Sequence, residues 1–102
     1  MDITVEDDPD EERYEARTAD GVLAGFAAYQ LASNLIVMTH TEVDPAFEGQ
    51  GVATALIRGA LDDIRERRLP LLPLCPFVVA FLQRHPEYRD MVYSAPQASA
   101  PD

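Results

Sequence analysis

Glu42-Val43-Asp44-Pro45-Ala46-Phe47-Glu48-Gly49-Gln50-Gly51-Val52-Ala53-Thr54-Ala55-Leu56 is the turning point of this sequence. Upstream of it, Leu35 to Val43 is an apolar, β-branched run that predicts a long buried strand. Asp44-Pro45 ends that strand, because proline removes a ladder donor and restrains the residue before it. From Gly51 the period changes: Val52, Ala55, Leu56, Ala60 and Ile64 recur at helical spacing, with Arg58, Asp62, Arg65 and Glu66 on the opposite face. A strand that runs through a glycine-containing loop straight into a helix presents unpaired main-chain N–H groups at the positive end of a helix dipole. Such a place suits an anion, and Gly49 and Gly51 allow a ligand to approach the main chain closely. The spacing is not Gly-x-x-x-x-Gly-Lys-Ser/Thr, and Thr54 stands where Gly-x-Gly-x-x-Gly needs its third glycine, so neither nucleotide fingerprint is present. Taken alone, the loop is weak evidence, since a plain turn with a tight helix start is the other reading.

Outward from this stretch, the N-terminal side reads as short antiparallel strands. Ile3-Thr4-Val5 alternates weakly and runs into Glu6-Asp7-Asp8-Pro9-Asp10-Glu11-Glu12, whose like charges and proline predict a solvated turn or loop. A metal site or a landing pad for a cationic partner are the other readings of those acids. Tyr14 to Thr18 has strand composition, Asp20-Gly21 is a hairpin signal, and Val22 to Leu31 continues as a strand in which Gly25 marks a bulge. Ser33-Asn34 forms the next turn. On the C-terminal side the helix ends near Arg67-Arg68, Leu71 to Leu74 reads as a short buried strand, and Pro76 opens a helix that runs to Arg84. Phe77, Phe81 and Tyr88 are expected in the core, His85 is expected to bond the last carbonyls of that helix, and His85 to Tyr88 is a turn or helical stub. The expected class is α+β (mixed α/β): one domain over residues 1–93, antiparallel strands first, then helix, strand and helix on a single sheet. Residues 94–102, rich in Ala, Pro and Ser, are expected to be a disordered tail.

With 102 residues, 47% of them hydrophobic, one core and one site must account for whatever the chain does. The net charge is −10, and every basic side chain is an arginine. Residues 1–50 carry Arg13 and Arg17 against twelve acids, whereas residues 51–102 carry six arginines and six acids. The negative field therefore belongs to the N-terminal half, and the anion-holding helix belongs to the neutral half. Such a surface repels phosphate backbones and anionic lipid, so no nucleic-acid partner and no membrane attachment are expected. The apolar stretch from Leu69 to Leu82 is broken by Pro70, Pro73 and Pro76 and is too short to span a bilayer. A start without a basic, apolar leader and a single cysteine, Cys75, point to a reducing, cytoplasmic setting. Nothing in the sequence separates a monomer from a homodimer paired through an exposed edge strand near Ile3 or Tyr14.

Val43-x-Pro45-x-x-x-Gly49-x-Gly51-x-Ala53-x-x-Leu56 resembles the acetyl-coenzyme A (acetyl-CoA) motif of the GNAT superfamily of N-acetyltransferases, whose core is Gln/Arg-x-x-Gly-x-Gly/Ala. Gly51 and Ala53 fill the last two fixed places. His40-Thr41-Glu42-Val43, Phe47 to Gly51, Pro73 to Phe77 and His85 to Tyr88 together resemble a minimal single-domain subgroup, and the likeness spans about residues 12–92. The resemblance implies that acetyl-CoA is the cosubstrate and an amine of a small molecule or protein the acceptor. It implies a cofactor site made of Val43, Glu48, Gly49, Gln50, Gly51, Val52 and Ala53, with Glu42 and Val43 beside the pantetheine and acetyl carbonyl. Glu48 departs from the family pattern, since a carboxylate beside a pyrophosphate is repelled where Gln or Arg would bind, and Gln50 is the nearest replacement. The absence of lysine leaves such an enzyme no side-chain amine of its own to acetylate.

Aminolysis of a thioester needs a neutral amine, a donor for the oxyanion and a way to protonate the departing thiolate. Glu42 is a candidate base, directly or through water, or else a plain strand-end carboxylate. His40, two residues earlier on the same strand face, is either its proton relay or a structural histidine. Cys75 lies between a short strand and a helix N-terminus, where a thiolate is favoured. By resemblance it faces the acetyl group, as covalent acceptor, as weak hydrogen-bond donor, or as a small buried hydrophobe. Many larger relatives carry an Asn at that position and a Tyr acid seven residues on; here those positions read Cys75 and Leu82. The alternative function is therefore a CoA-binding module without turnover.

Overall fold

The structure is a computed structural model describing residues 2–94. Residues 95–102, most of the expected tail, lie outside the described residues. Five strands form one sheet in chain order: β1 (Thr4–Asp8), β2 (Arg13–Arg17), β3 (Leu23–Ala32), β4 (Leu35–Val43) and β5 (Leu71–Pro73). The first four pair antiparallel and β5 lies parallel to β4, which is the mixed class the sequence predicts. Between β4 and β5 the chain crosses over through α1 (Val52–Arg67), and α2 (Pro76–Arg84) follows β5.

Local sequence explains these elements. Ser33 and Asn34 both take positive φ between the paired Ala32 and Leu35, the geometry of a two-residue hairpin matched to strand twist. α1 turns Leu56, Ile57, Leu61 and Ile64 onto the sheet, each fully buried side chain contributing about 1.5–3 kcal/mol. The helix ends at Arg68, whose left-handed backbone lets its N–H reach the carbonyls of Arg65 and Ile64. A short 3-10 segment, Pro86–Met91, lays Tyr88 and Met91 into the core, and Val92 then bridges to Leu71 on the outer edge of β5.

Three sequence expectations are corrected. Glu6 to Asp8 are not loop but the second half of β1, and only Pro9 to Glu12 turn. Alternation along β1 directs Asp7 inward, where the Tyr29 hydroxyl donates to it at 2.6 Å and Arg67 pairs with it, so this acid is structural. Leu74 is 60% exposed, because β5 stops at Pro73. Phe77, in the first turn of α2 after Pro76, is also exposed rather than in the core. At Gly25 the expected irregularity is present: the register slips by one residue between Gly25 and Leu23. A Cβ at Gly25 would stand 2.7 Å from the Glu42 carbonyl oxygen, so glycine here sets the closeness of β3 to β4.

A polar clasp fastens the sheet to α1. Tyr14 donates to Asp63 at 2.6 Å, Tyr29 donates to Asp7, and Arg67 reaches both carboxylates. Burial and the hydrogen bond to Asp63 raise the Tyr14 hydroxyl far above the ordinary tyrosine value of 10.0, and Tyr29 moves the same way. A group whose pKa rises on folding adds stability that is whole below its unfolded pKa and fades as pH climbs above it. Tyr14→Phe is therefore expected to cost about 1–2 kcal/mol near neutrality and to flatten the alkaline loss of stability above pH 10.0. Urea unfolding across a pH series checks this, and an unchanged alkaline slope would oppose it.

Candidate functional site

β5 leaves β4 early. Ile36, Val37 and Met38 pair with Leu71, Leu72 and Pro73, after which the N–H groups of Leu74 and Cys75 both close on the Met38 carbonyl at 3.0 Å and the chain turns into α2. Prolines at 73 and 76 have no N–H with which to extend the ladder. Beyond Met38, β4 keeps β3 on one side and has no ladder partner on the other among the described residues. A bulge coincides with the parting: Ala28 pairs with His40 but Tyr29 with Met38, leaving Thr39 as the extra residue. The bulge shifts the phase of the strand, so that Ile36 and Met38 are buried before it and Thr41 after it. Main-chain groups alternate with the same period. The Asp44 N–H bonds to Ala24, which turns the main chain of Glu42 toward β3 and that of Thr41 and Val43 to the open side.

The open strand edge leads into a cleft of about 460 Å³ that runs from Val43 past Phe47 and Gly49 to the first turn of α1. That helix start is bare. Gly51 is the N-cap with φ 79°, no side chain caps it, and its first turn holds no acid. The first intrahelical bond, from Ala55 to Gly51, leaves the N–H groups of Val52, Ala53 and Thr54 without main-chain acceptors. Gly49 and Gly51 both sit in the left-handed region, and a Cβ at either would meet no atom within 4 Å. Of the residues predicted for the cofactor, Val43, Glu48, Gly49, Gly51, Val52 and Ala53 line the cleft. Gln50 does not: its amide turns back and donates to the Ala46 carbonyl at 3.4 Å.

The three predicted catalytic side chains divide between the two faces of β4. His40 and Glu42 share the face away from the helices, with His40 Nε2 and Glu42 Oε2 2.8 Å apart and both side chains exposed. The Phe26 ring lies edge-on to His40 at 6.2 Å, and the Arg13 guanidinium covers Phe26 at 4.7 Å. Beside them Glu15 is buried; burial alone would raise its carboxyl, but hydrogen bonds from Arg17 and Arg13 outweigh this and hold it below the usual range. Cys75 is on the helix side, N-cap to α2 and 1% exposed, with its Sγ 3.1 Å from Thr41 Oγ1. The fold thus joins His40 to Glu42 but joins Cys75 to Thr41.

Nothing in the sequence marks Thr41, because the bulge that turns it inward has no signature in Thr39-His40-Thr41. Phe77, expected in the core, lines the cleft instead. His85 does not bond the carbonyls of α2 through its ring. The ring stacks on Phe81 with centroids 4.2 Å apart and faces Glu87, while Arg89 takes the Leu82 and Gln83 carbonyls. Among the described residues no three His, Cys, Asp or Glu side chains converge as a metal site, and no helix is long and apolar enough to cross a membrane.

A family model described as GCN5-related N-acetyl-transferase matches residues 13–91. The streptothricin acetyltransferase of Streptomyces lavendulae is 40% identical over 63 residues, which is 60% of this chain and 33% of the relative. The chain thus spans about a third of the length of that curated relative. Two solved structures share the fold. The solution structure of a GCN5-like protein from Staphylococcus aureus is 21% identical with a TM-score of 0.66, over 93% of this chain and 92% of the other. The ribosomal-protein-alanine N-acetyltransferase of Brucella melitensis biovar Abortus 2308 is 26% identical with a TM-score of 0.53, over 88% of this chain and 68% of the other.

The burial of Cys75 has a direct chemical consequence. Its alkylation by iodoacetamide is expected to be slower in the native protein than in urea by about a hundredfold or more. Equal rates would mean that the thiol is open to solvent.

Proposed function

The chain belongs to the GCN5-related N-acetyltransferase family, and from that premise we propose that it transfers acetyl from acetyl-CoA to an amine of a small molecule or protein. The observation that carries the reading is the unpaired edge of β4 running into the bare N-terminus of α1. These groups suit the cofactor. The main chain of Thr41 and Val43 offers strand-like hydrogen bonds to the two amides of a pantetheine arm, as an added strand would. The free N–H groups of Val52, Ala53 and Thr54 suit a pyrophosphate, and the Gly49 and Gly51 backbone leaves room for it.

The chemistry follows from what stands around the end of β4. The amine nitrogen attacks the thioester carbonyl carbon, the carbon–sulfur bond breaks, and CoA departs as a thiolate. The Val43 N–H, on the open side of the strand, is the donor for the oxyanion. Glu42 accepts the proton released by the attacking amine, directly or through water, and His40 at 2.8 Å passes it to solvent. Leu82 is buried where larger relatives have a tyrosine acid, but a thiol with a pKa of about 8.5 leaves as its anion without one. The proposed role of Cys75 is to pack beside the acetyl group as a weak donor held by Thr41; a covalent acetyl-Cys75 intermediate requires the thiol to leave its buried pair first.

A second reading, a CoA-binding module without turnover, is favoured by the buried, hydrogen-bonded thiol and the missing acid. Release of free thiol from acetyl-CoA in the presence of an amine panel separates the two. Turnover is expected, with Glu42→Gln lowering kcat by about tenfold to a thousandfold. Intact binding with no thiol release across the panel would favour the second reading. A +42 Da adduct on Cys75 in mass spectra of protein incubated with acetyl-CoA would support covalent transfer, and turnover without it would support direct attack. Glu48 lines the cofactor cleft as a carboxylate, so Glu48→Gln is expected to tighten acetyl-CoA binding by about threefold to tenfold. Calorimetric titration checks this, and an unchanged affinity would show that the carboxylate turns away from the pyrophosphate.

A further inference from the structure

Two cavities meet at the end of β4. The cofactor cleft shares Glu42, Val43 and Pro45 with a smaller hollow of about 240 Å³ that lies toward β3, where the ends of β3 and β4 are paired. Phe26 stands opposite Glu42 in that ladder, so the ring and the carboxylate are on the same face of the sheet, away from the helices. Leu23, Phe26, Val43 and Pro45 give the hollow apolar walls, and its charged groups are Glu42 and Asp44 alone. Both ends of this arrangement are held. Asp44 accepts from the Ala46 N–H through Oδ1 at 2.8 Å, which leaves Oδ2 without a partner among the described residues. The Phe26 ring is fixed by the Arg13 guanidinium over it at 4.7 Å and by His40 at its edge. Arg13 is itself tied to Glu15 at 2.9 Å, so the nearby cation is spent on another carboxylate and does not line the hollow.

We propose that this hollow seats the acceptor, and that the acceptor is a small primary amine with an apolar body and no carboxylate. The proposal rests on the acetyl-CoA reading above and names its second substrate. Transfer needs a second site that opens onto the reacting atoms, and the hollow adjoins the cofactor cleft at Glu42 and Val43, the residues assigned to the base and the oxyanion donor. A pocket with apolar walls and a few placed polar groups suits a small ligand whose body fills it and whose polar end is fixed. Here that end is an ammonium between Glu42 and Asp44. A carboxylate on the acceptor would meet two like charges and no cation, which excludes a free amino acid. The wider field acts in the same direction: every residue of the hollow comes from the N-terminal half, where two arginines face twelve acids.

The test compares 2-phenylethylamine with L-phenylalanine, which differ by one carboxylate. Each is titrated calorimetrically into the protein saturated with CoA, so that binding is read without turnover. The wild type is expected to prefer the amine by about tenfold or more. Asp44→Asn keeps a side chain that can cap Pro45–Phe47 but removes the charge, and it is expected to weaken the amine by about tenfold. Phe26→Ala is expected to weaken it by about threefold to tenfold through the lost wall. Affinity for acetyl-CoA is expected to stay unchanged in both variants, which separates loss of the hollow from loss of the fold. Equal or tighter binding of L-phenylalanine, no binding of the amine to the CoA-saturated protein, or variants that leave its affinity as it was would each overturn the acceptor site while the cofactor reading stands. A wild type that binds no CoA removes that reading and this site with it.

Discussion

Everything at the site depends on one constraint: β4 must lose its neighbour after Met38. A strand in the middle of a sheet spends its main-chain groups on two ladders and has none to offer a ligand. Here the second ladder lasts three residue pairs, and the prolines at 73 and 76 keep it from lasting longer. The Thr39 bulge then rotates the following residues, so that Thr41 and Val43 present N–H and C=O groups to the gap while Thr41 turns its side chain inward to Cys75. The pair across the gap, hydroxyl to thiol, fills its base with small side chains. Without the early parting the glycine loop would be a helix start with nothing beside it.

The electrostatics of the molecule are arranged around this gap rather than against it. Twelve acids crowd the N-terminal half, yet several are spent on structure: Asp7 receives Tyr29 and Arg67, and Glu15 is enclosed by Arg13 and Arg17. Glu42 and Glu48 line the groove and no arginine does, so what favours an anion there is the main-chain dipole at the start of α1, whose first turn contains no acid. Dipoles of this kind are fixed by the backbone. An acidic protein can carry them without changing its net charge.

The strands, both helices and the glycine loop were readable because each rests on a local signal: period-2 or period-3.6 patterning, proline at the start of α2, Asp44-Pro45 at the end of β4. The residues that the family resemblance implies for a cofactor lie at the end of β4 and in the same loop, and all but Gln50 line the cleft. What could not be read depends on register between distant segments. That Glu6 to Asp8 pair as a strand follows from the partners waiting for Asp7 on β3 and α1, which composition cannot display. That Cys75 meets Thr41 and not Glu42 follows from a one-residue slip at Thr39, and a slip of one residue moves each later side chain to the other face. The exposure of Phe77 is illegible for a simpler reason, since aromatic spacing along α2 says which residues share a face only after the first turn is placed.

The two rims of the sheet are closed by opposite means. Along β5, Val92 bridges to Leu71 and the Tyr93 N–H bonds to the Leu71 carbonyl, so the chain's own continuation occupies that rim. Along β1 none of the described residues is laid over the outer side; the strand carries Glu6 and Asp8 instead. Cover by chain is indifferent to the medium, but protection by charge works only while the carboxylates are ionised and unscreened. The colloidal behaviour of the protein is thereby tied to one strand. In acid or in concentrated salt, β1 becomes the place where one molecule can stack its backbone onto the next.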